Sequence, residues 1–245
     1  EMEPDFAPFY LARAKLFGDD PSVVRESVGE AYSIDPGSWR TAMEITKQYV
    51  RDNQNDKALQ AAQKNYKSHP DNCLVVLQYA NILSQNRKYS ETLKVLVNKE
   101  MLPAESDKWS GDMDAHSLFR MTNIQCALNQ MKSGKWGKAL AYLKDAETWP
   151  PNLGWGEPYF ADNRLTQFFA ACCYDKLKDK VQYEKSINYL VTYNNPDGET
   201  SPLENKLSGM VKDGSRDFKS ITETLINDQS KNREIEILIR FLTIL

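Results

Sequence analysis

Residues 123–151 read NIQCALNQMKSGKWGKALAYLKDAETWPP, and the spacing of small residues in this stretch decides the fold. Ala127 is followed by Ala139 after twelve residues, by Ala146 after nineteen and by Pro151 after twenty-four. Between the first two, Ser133-Gly134-Lys135 is turn chemistry. Two antiparallel helices cross closely only where one or both carry a small side chain at the crossing. Ala127 and Ala139 meet that need inside one helical hairpin, and Ala146 meets it against the next. The proline then stops the second helix, because it has no backbone N–H and restricts the residue before it.

The same arithmetic holds on either side. Asp35-Pro36 and His69-Pro70 close helical stretches 34 residues apart, and Ala12, Thr46 and Ala80 are spaced by 34 as well. Twelve residues beyond these three stand Val24, Ala58 and Thr92; nineteen beyond stand Ala31, Asn65 and Lys99. Ala171 opens a weaker copy, with Tyr183 and Leu190 at the same offsets and Pro196 just after. Polar breaks at Gly18-Asp19-Asp20, Asp52-Asn53-Gln54-Asn55 and Gln85-Asn86-Arg87-Lys88 separate the helices of each pair. The expectation is five helix–turn–helix units, over 5–36, 37–70, 71–104, 116–151 and 161–196, within a repeat region spanning 1–198. Insertions fall near 101–114 and 149–162. Residues 199–245 are expected to form C-terminal capping helices, opened by Ser201-Pro202. The last of these is strongly apolar through Ile235, Ile237, Leu238, Phe241 and Leu242. It is either a cap on the final repeat or a seam onto another partner, and a terminal repeat needs such a cover.

Composition agrees with a helical chain and removes several functions. The 245 residues are 41% hydrophobic, enough for a sizeable core, and only 11 Gly and 11 Pro interrupt them. With 31 Lys and Arg against 34 Asp and Glu, the net charge is −3, which argues against a dedicated nucleic-acid binder. No run of about 18 apolar residues is present, so no membrane span is expected. A start at Glu1 rather than methionine fits a processed protein or an excised fragment. The four cysteines, Cys73, Cys126, Cys172 and Cys173, sit in apolar helical patterns and are expected to be free thiols of the core. Without a Cys-x-x-Cys pair and with two histidines only, a zinc site lacks ligands, and no cofactor or metal is expected.

A 34-residue helix–turn–helix unit with packing alanines, a central turn and a closing proline resembles the tetratricopeptide repeat. The resemblance covers about residues 5–196 and implies an all-α, right-handed solenoid of antiparallel helical hairpins with a helical C-terminal cap. Where that family carries a large aromatic early in the first helix, this chain has Pro8, Ala42, Val76, Asn123 and Gln167. In such arrays the first helices line an inner groove. Here they would present Arg13, Arg40, Glu44, Lys47, Gln78, Asn81 and Gln125, a mixed-charge set suited to an extended peptide.

The two insertions carry the residues closest to chemistry. Met101–Asp114 is acidic but has neither the central glycine nor the closing glutamate of a calcium loop, so it reads as a solvated connector. Trp149–Arg164 is unlike a linker. It combines three prolines and two glycines with Trp149, Trp155 and Tyr159, and with Asn152 and Glu157 between them. Such aromatics pack on neighbouring repeats, dock a partner, or stack on a sugar. Asp145, Glu147, Glu157 and Asp162 lie nearby, but proximity along a loop makes no acid–base pair. His69 and His116 sit at helix ends and read as caps or surface residues, so no Ser or Cys nucleophile has a base.

Two segments, Asp5–Phe17 and Trp149–Arg164, resemble the C-terminal repeat region of large bacterial proteins carrying the domain DUF5107. Those proteins join a β-sandwich region, similar to carbohydrate-active enzymes, to a helical repeat tail. The resemblance implies a non-enzymatic interaction or structural module, the tail of a larger carbohydrate-related protein. Its partners would be another protein or a neighbouring domain of the same chain, with a carbohydrate at the aromatic loop as the alternative. The compartment implied is bacterial cytoplasm or periplasm.

Overall fold

Four of the helical hairpins are joined by one recurring turn. A residue in the left-handed region ends the first helix, its N–H reaching back three residues and the next N–H reaching back five. The turn residues are Asn53 (φ 56°), Arg87 (φ 59°), Gly134 (φ 68°) and Lys178 (φ 61°). Their closing bonds run from Gln54 N to Tyr49 O (2.8 Å), Lys88 N to Leu83 O (2.9 Å), Lys135 N to Gln130 O (2.9 Å) and Asp179 N to Tyr174 O (3.0 Å). This is the Schellman closure, which satisfies carbonyls that a helix end leaves open. The same turn recurs at Gly214 (φ 93°), with Ser215 N on Met210 O at 3.0 Å.

The structure is a computed structural model and describes residues 5–101, 114–154, 156–196, 201–227 and 233–245. The acidic insertion over 102–113 and Trp155 therefore lie outside the described residues. The chain is all-α, a helical-repeat array. Its helices are α1 (Ala7–Leu16), α2 (Pro21–Ile34), α3 (Trp39–Arg51), α4 (Asn55–Ser68), α5 (Cys73–Gln85) and α6 (Tyr89–Val97). After the first insertion come α7 (Ala115–Lys132), α8 (Trp136–Ala146), a 3-10 turn at Pro151–Leu153, α9 (Arg164–Leu177) and α10 (Lys180–Thr192). The chain closes with α11 (Pro202–Lys212), α12 (Phe218–Asn227) and α13 (Arg233–Leu242). The chain groups into two compact units. The first holds residues 1–115 with 152–154, and the second holds 116–151 with 155–245.

Polar caps open several helices. Asp20 accepts from Ser22 N (2.9 Å) and Val23 N (3.3 Å) ahead of Pro21. The Ser22 hydroxyl and these backbone donors hold its carboxyl below the usual range. Asn72 caps α5 through Leu74 N and Val75 N, and Asp179 caps α10 through Gln182 N.

The small residues read from the sequence are buried where hairpins close. Thr46, Ala80, Ala127 and Ala171 are completely inaccessible on the first helices; Ala58, Thr92 and Ala139 face them from the second. Ala31, Asn65, Ala146 and Leu190 are buried at the later offset. Ala12 departs from this pattern and is exposed, because α1 packs through Ala7 and Ala14 instead. Tyr183 and Lys99 are only partly buried, since their longer side chains reach the rim.

In the second unit the core continues past the last Pro-closed hairpin. Phe241 of α13 meets Phe168 and Phe169 of α9 edge-on, with ring centroids 5.7 and 4.7 Å apart, and all three are fully buried. Ile237 and Leu238 accompany it, so the apolar side of α13 is a cap inside the chain. Truncating Phe241→Ala should lower unfolding stability by about 3–5 kcal/mol, the range for a buried aromatic. In the opposite direction, Lys178→Gly removes a β-carbon from a left-handed turn and should raise stability by about 1 kcal/mol. Urea unfolding midpoints check both.

Candidate functional site

The first helices of successive hairpins, α1, α3 and α5, lie side by side in the first unit. On α3, Lys47, Val50 and Arg51 fall at i, i+3 and i+4, one face of a helix; on α5, Gln78, Asn81, Ile82 and Gln85 do the same. The two faces enclose a cleft of about 220 Å³ lined by these seven residues. Its walls are tied together by Gln78, whose Nε2 donates to Met43 O of α3 at 2.9 Å. Behind the cleft, Asn65 Nδ2 donates to Trp39 O (3.2 Å), anchoring α4 on α3. Asp52, at the end of α3, accepts from Gln48 Nε2 (3.1 Å) and from Arg25 of α2 (2.5 Å). The Arg25 guanidinium holds the Asp52 carboxyl below its ordinary value.

The lining has two cations, three amides and two aliphatic side chains, and no carboxylate. Lys47 is half-buried and paired with Glu44 at 2.8 Å, one turn away. Arg51 and Gln85 are exposed at the mouth, and Asn81 is half-buried. Primary amides offer both a donor and an acceptor, which is what the backbone of an extended peptide requires. Lys47 and Arg51 add attraction for carboxylates. The lining contains no Ser, Thr, Cys, His or carboxylate side chain.

Three of the seven groove residues read from sequence thus converge: Lys47, Gln78 and Asn81. Val50, Arg51, Ile82 and Gln85 join them; the signal for all four is their i+3, i+4 and i+7 spacing from Lys47 and Gln78. The other groove candidates go elsewhere. Arg13 pairs with Glu26 of α2 at 3.2 Å. Arg40 is exposed and lies over its neighbour Trp39, 4.2 Å from the ring centroid. Glu44 serves Lys47, and Gln125 is half-buried on α7 in the second unit.

The aromatic loop divides its residues between packing and exposure. Trp149 stacks on His116, with ring centroids 3.4 Å apart and planes 10° from parallel. His116, expected as a cap or surface residue, is instead buried at the start of α7, with Nε2 3.1 Å from Thr148 O. The stack covers one face of each ring and draws the histidine inward. His69 does sit at a helix end, closing α4 with Nε2 3.1 Å from Gly37 O. Asn152 donates from Nδ2 to Leu96 O and Lys99 O (2.8 Å each), and its carbonyl receives Met101 N at 2.7 Å. It thereby satisfies the open carbonyls at the end of α6. Glu157 is exposed, and Tyr159 is 101% exposed.

The nearby carboxylates do not pair. Glu147 accepts from Thr166 Oγ1 (2.6 Å) and Gln167 Nε2 (2.8 Å). Asp162 accepts from Arg164, whose guanidinium is otherwise held by Asn205, Ser208 and the face of Tyr193. Among the described residues there is no cluster of side chains able to hold a metal, and no helix long and apolar enough to cross a membrane.

All four cysteines are free. Burial pushes the Cys126 thiol up to about 11 and Cys172 up to about 12, and raises Cys173 as well. These three are protonated at neutral pH and unreactive. Cys73, expected in the core, is only partly buried because it opens α5, where its Sγ donates to Glu100 O at 3.4 Å.

No family model matches the chain, and no curated protein matches it. Two solved structures align with most of the chain at low identity. The pilF protein of Pseudomonas aeruginosa shares 15% identity with a TM-score of 0.49, over 94% of this chain and 95% of that one. The TPR domain of P58(IPK) shares 11% identity with a TM-score of 0.35, over 97% of this chain and 65% of that one.

A thiol-specific chromophore added to the native protein at neutral pH should label Cys73 alone at first. The other three should react only once denaturant is added, and mass spectrometry of the labelled peptides checks the order.

Proposed function

We propose that the chain is a non-enzymatic protein-interaction module whose first unit binds an extended, acidic peptide in the cleft between α3 and α5. The observation that carries this reading is the convergence of Lys47 and Arg51 with the amides of Gln78, Asn81 and Gln85 over Val50 and Ile82. Each net hydrogen bond to a peptide backbone contributes about 0.5–1.5 kcal/mol, and each exposed charge pair about 0–1 kcal/mol. A few of each, set against the cost of immobilising a peptide, give modest affinity that weakens with salt.

The reading of the module as the tail of a larger, carbohydrate-related bacterial protein rests on the resemblance of 5–17 and 149–164 to DUF5107-containing chains. For the sugar-binding alternative, Tyr159 supplies an open ring, whereas one face of Trp149 is occupied by His116.

Selection from a randomised peptide library against the purified protein tests the peptide reading. Selected sequences should be rich in Asp and Glu. The double variant Lys47→Ala, Arg51→Ala should bind them about tenfold more weakly by calorimetry, a difference of about 1.4 kcal/mol. Selected peptides with no acidic excess, or unchanged affinity in the double variant, would overturn it.

A further inference from the structure

We infer that the peptide the cleft accepts is the loop Gly156-Glu157-Pro158-Tyr159-Phe160 of a second copy of this chain. The inference rests on the peptide-binding reading of the cleft and names its partner.

The loop is held at its base and open at its tip. Tyr193 Oη donates to Phe160 O at 2.9 Å, Tyr189 Oη donates to Ala161 O at 3.1 Å, and Asn163 N donates to Tyr189 Oη at 3.3 Å. On the other flank Asn152 is fixed by its two bonds to the end of α6. Pro158 restricts the backbone between these anchors. At the tip, Tyr159 is 101% exposed and Phe160 40% exposed. Glu157 is exposed as well and has no hydrogen bond or ion pair among the described residues. Two large aromatics held in water on a pre-ordered loop lose little further entropy on docking, which is the property of a binding segment.

The cleft offers the complement. It has two cations with no carboxylate in the lining, and Arg51 has no ion pair among the described residues. Lys47 already has Glu44 beside it, so Glu157 supplies a partner for Arg51. Val50 and Ile82 give the aromatic that follows an apolar floor. The amides of Asn81 and Gln85 meet the loop backbone. A net charge of −3 leaves little repulsion between copies. Each copy carries one cleft and one loop, so the contact closes as a reciprocal two-fold dimer or continues into chains or rings.

Light scattering on the whole chain, from about 1 μM to about 1 mM, tests the assembly. The mean mass of the natural sequence should rise with concentration. Arg51→Glu, which spoils the cleft, and Glu157→Lys, which spoils the loop, should each stay monomeric while keeping the helical circular dichroism of the natural sequence. Arg51→Ala, which adds no negative charge to the helix end, should weaken assembly in the same sense. Mixed together, Arg51→Glu and Glu157→Lys offer one unaltered loop–cleft pair and one in which the two charges are exchanged, so the assembly that neither variant shows alone should return. A natural chain that stays monomeric throughout, or a mixture that restores nothing, would overturn the inference. If acidic library peptides still bind that monomer, the cleft reading stands alone; if they do not, both fall.

Discussion

Close approach of two helices inside each hairpin is the constraint on which the rest depends. Ridges of one helix fit the grooves of another at 8–10 Å only where the contact residues allow it. Thr46 against Ala58, Ala80 against Thr92 and Ala127 against Ala139 provide that contact, and all are essentially inaccessible to solvent. The hydroxyls of Thr46 and Thr92 are not orphaned by this burial. They return to the carbonyls of Ala42 (2.7 Å) and of Lys88 (3.2 Å) and Ala80 (3.4 Å). A threonine can therefore stand where an alanine stands in the neighbouring hairpin. The left-handed turn at Asn53, Arg87 and Gly134 fixes the length of chain between the partners, so the small residues arrive opposite each other.

Regular hairpins place the first helices of neighbouring pairs side by side, and that placement makes the cleft. Lys47 and Gln78 lie 31 residues apart in the chain. They line one cleft because α3 and α5 occupy matching places in consecutive hairpins. The same packing keeps Gln78 partly inward, where its amide bonds across to α3 and stiffens the wall. The candidate site is thus built from the repeat itself, whereas the aromatic loop is an addition to it, held by bonds from Asn152 at one flank and from Tyr189 and Tyr193 at the other.

Helix pairing, turn positions and most of the packing residues were legible in the sequence because they are local or periodic. Periodicity failed at Ala12, where α1 turns Ala14 to the neighbouring helices instead. It was silent about the fate of α13, which sequence left between a cap and an outward seam. The ring of Phe241 between Phe168 and Phe169 decides for the cap. Of the candidate site, Lys47, Gln78 and Asn81 were legible as residues on first helices. Their neighbours Val50, Arg51, Ile82 and Gln85 were not singled out, since charge and size alone do not say which face of a helix borders a gap.

The sequence by itself determined the helical-repeat architecture, because hairpin formation depends on residues within one period of each other. It also pointed to free core thiols and to no membrane-spanning helix. Only the tertiary structure decided that His116 lies inside against Trp149 and that Asn152 closes the end of α6. It likewise decided that Tyr159 stands in water while Lys47, Arg51 and Asn81 share a cleft. Those outcomes depend on which side chains from distant helices meet. That is set by the sum of packing over the whole core, which no local spacing in the chain records.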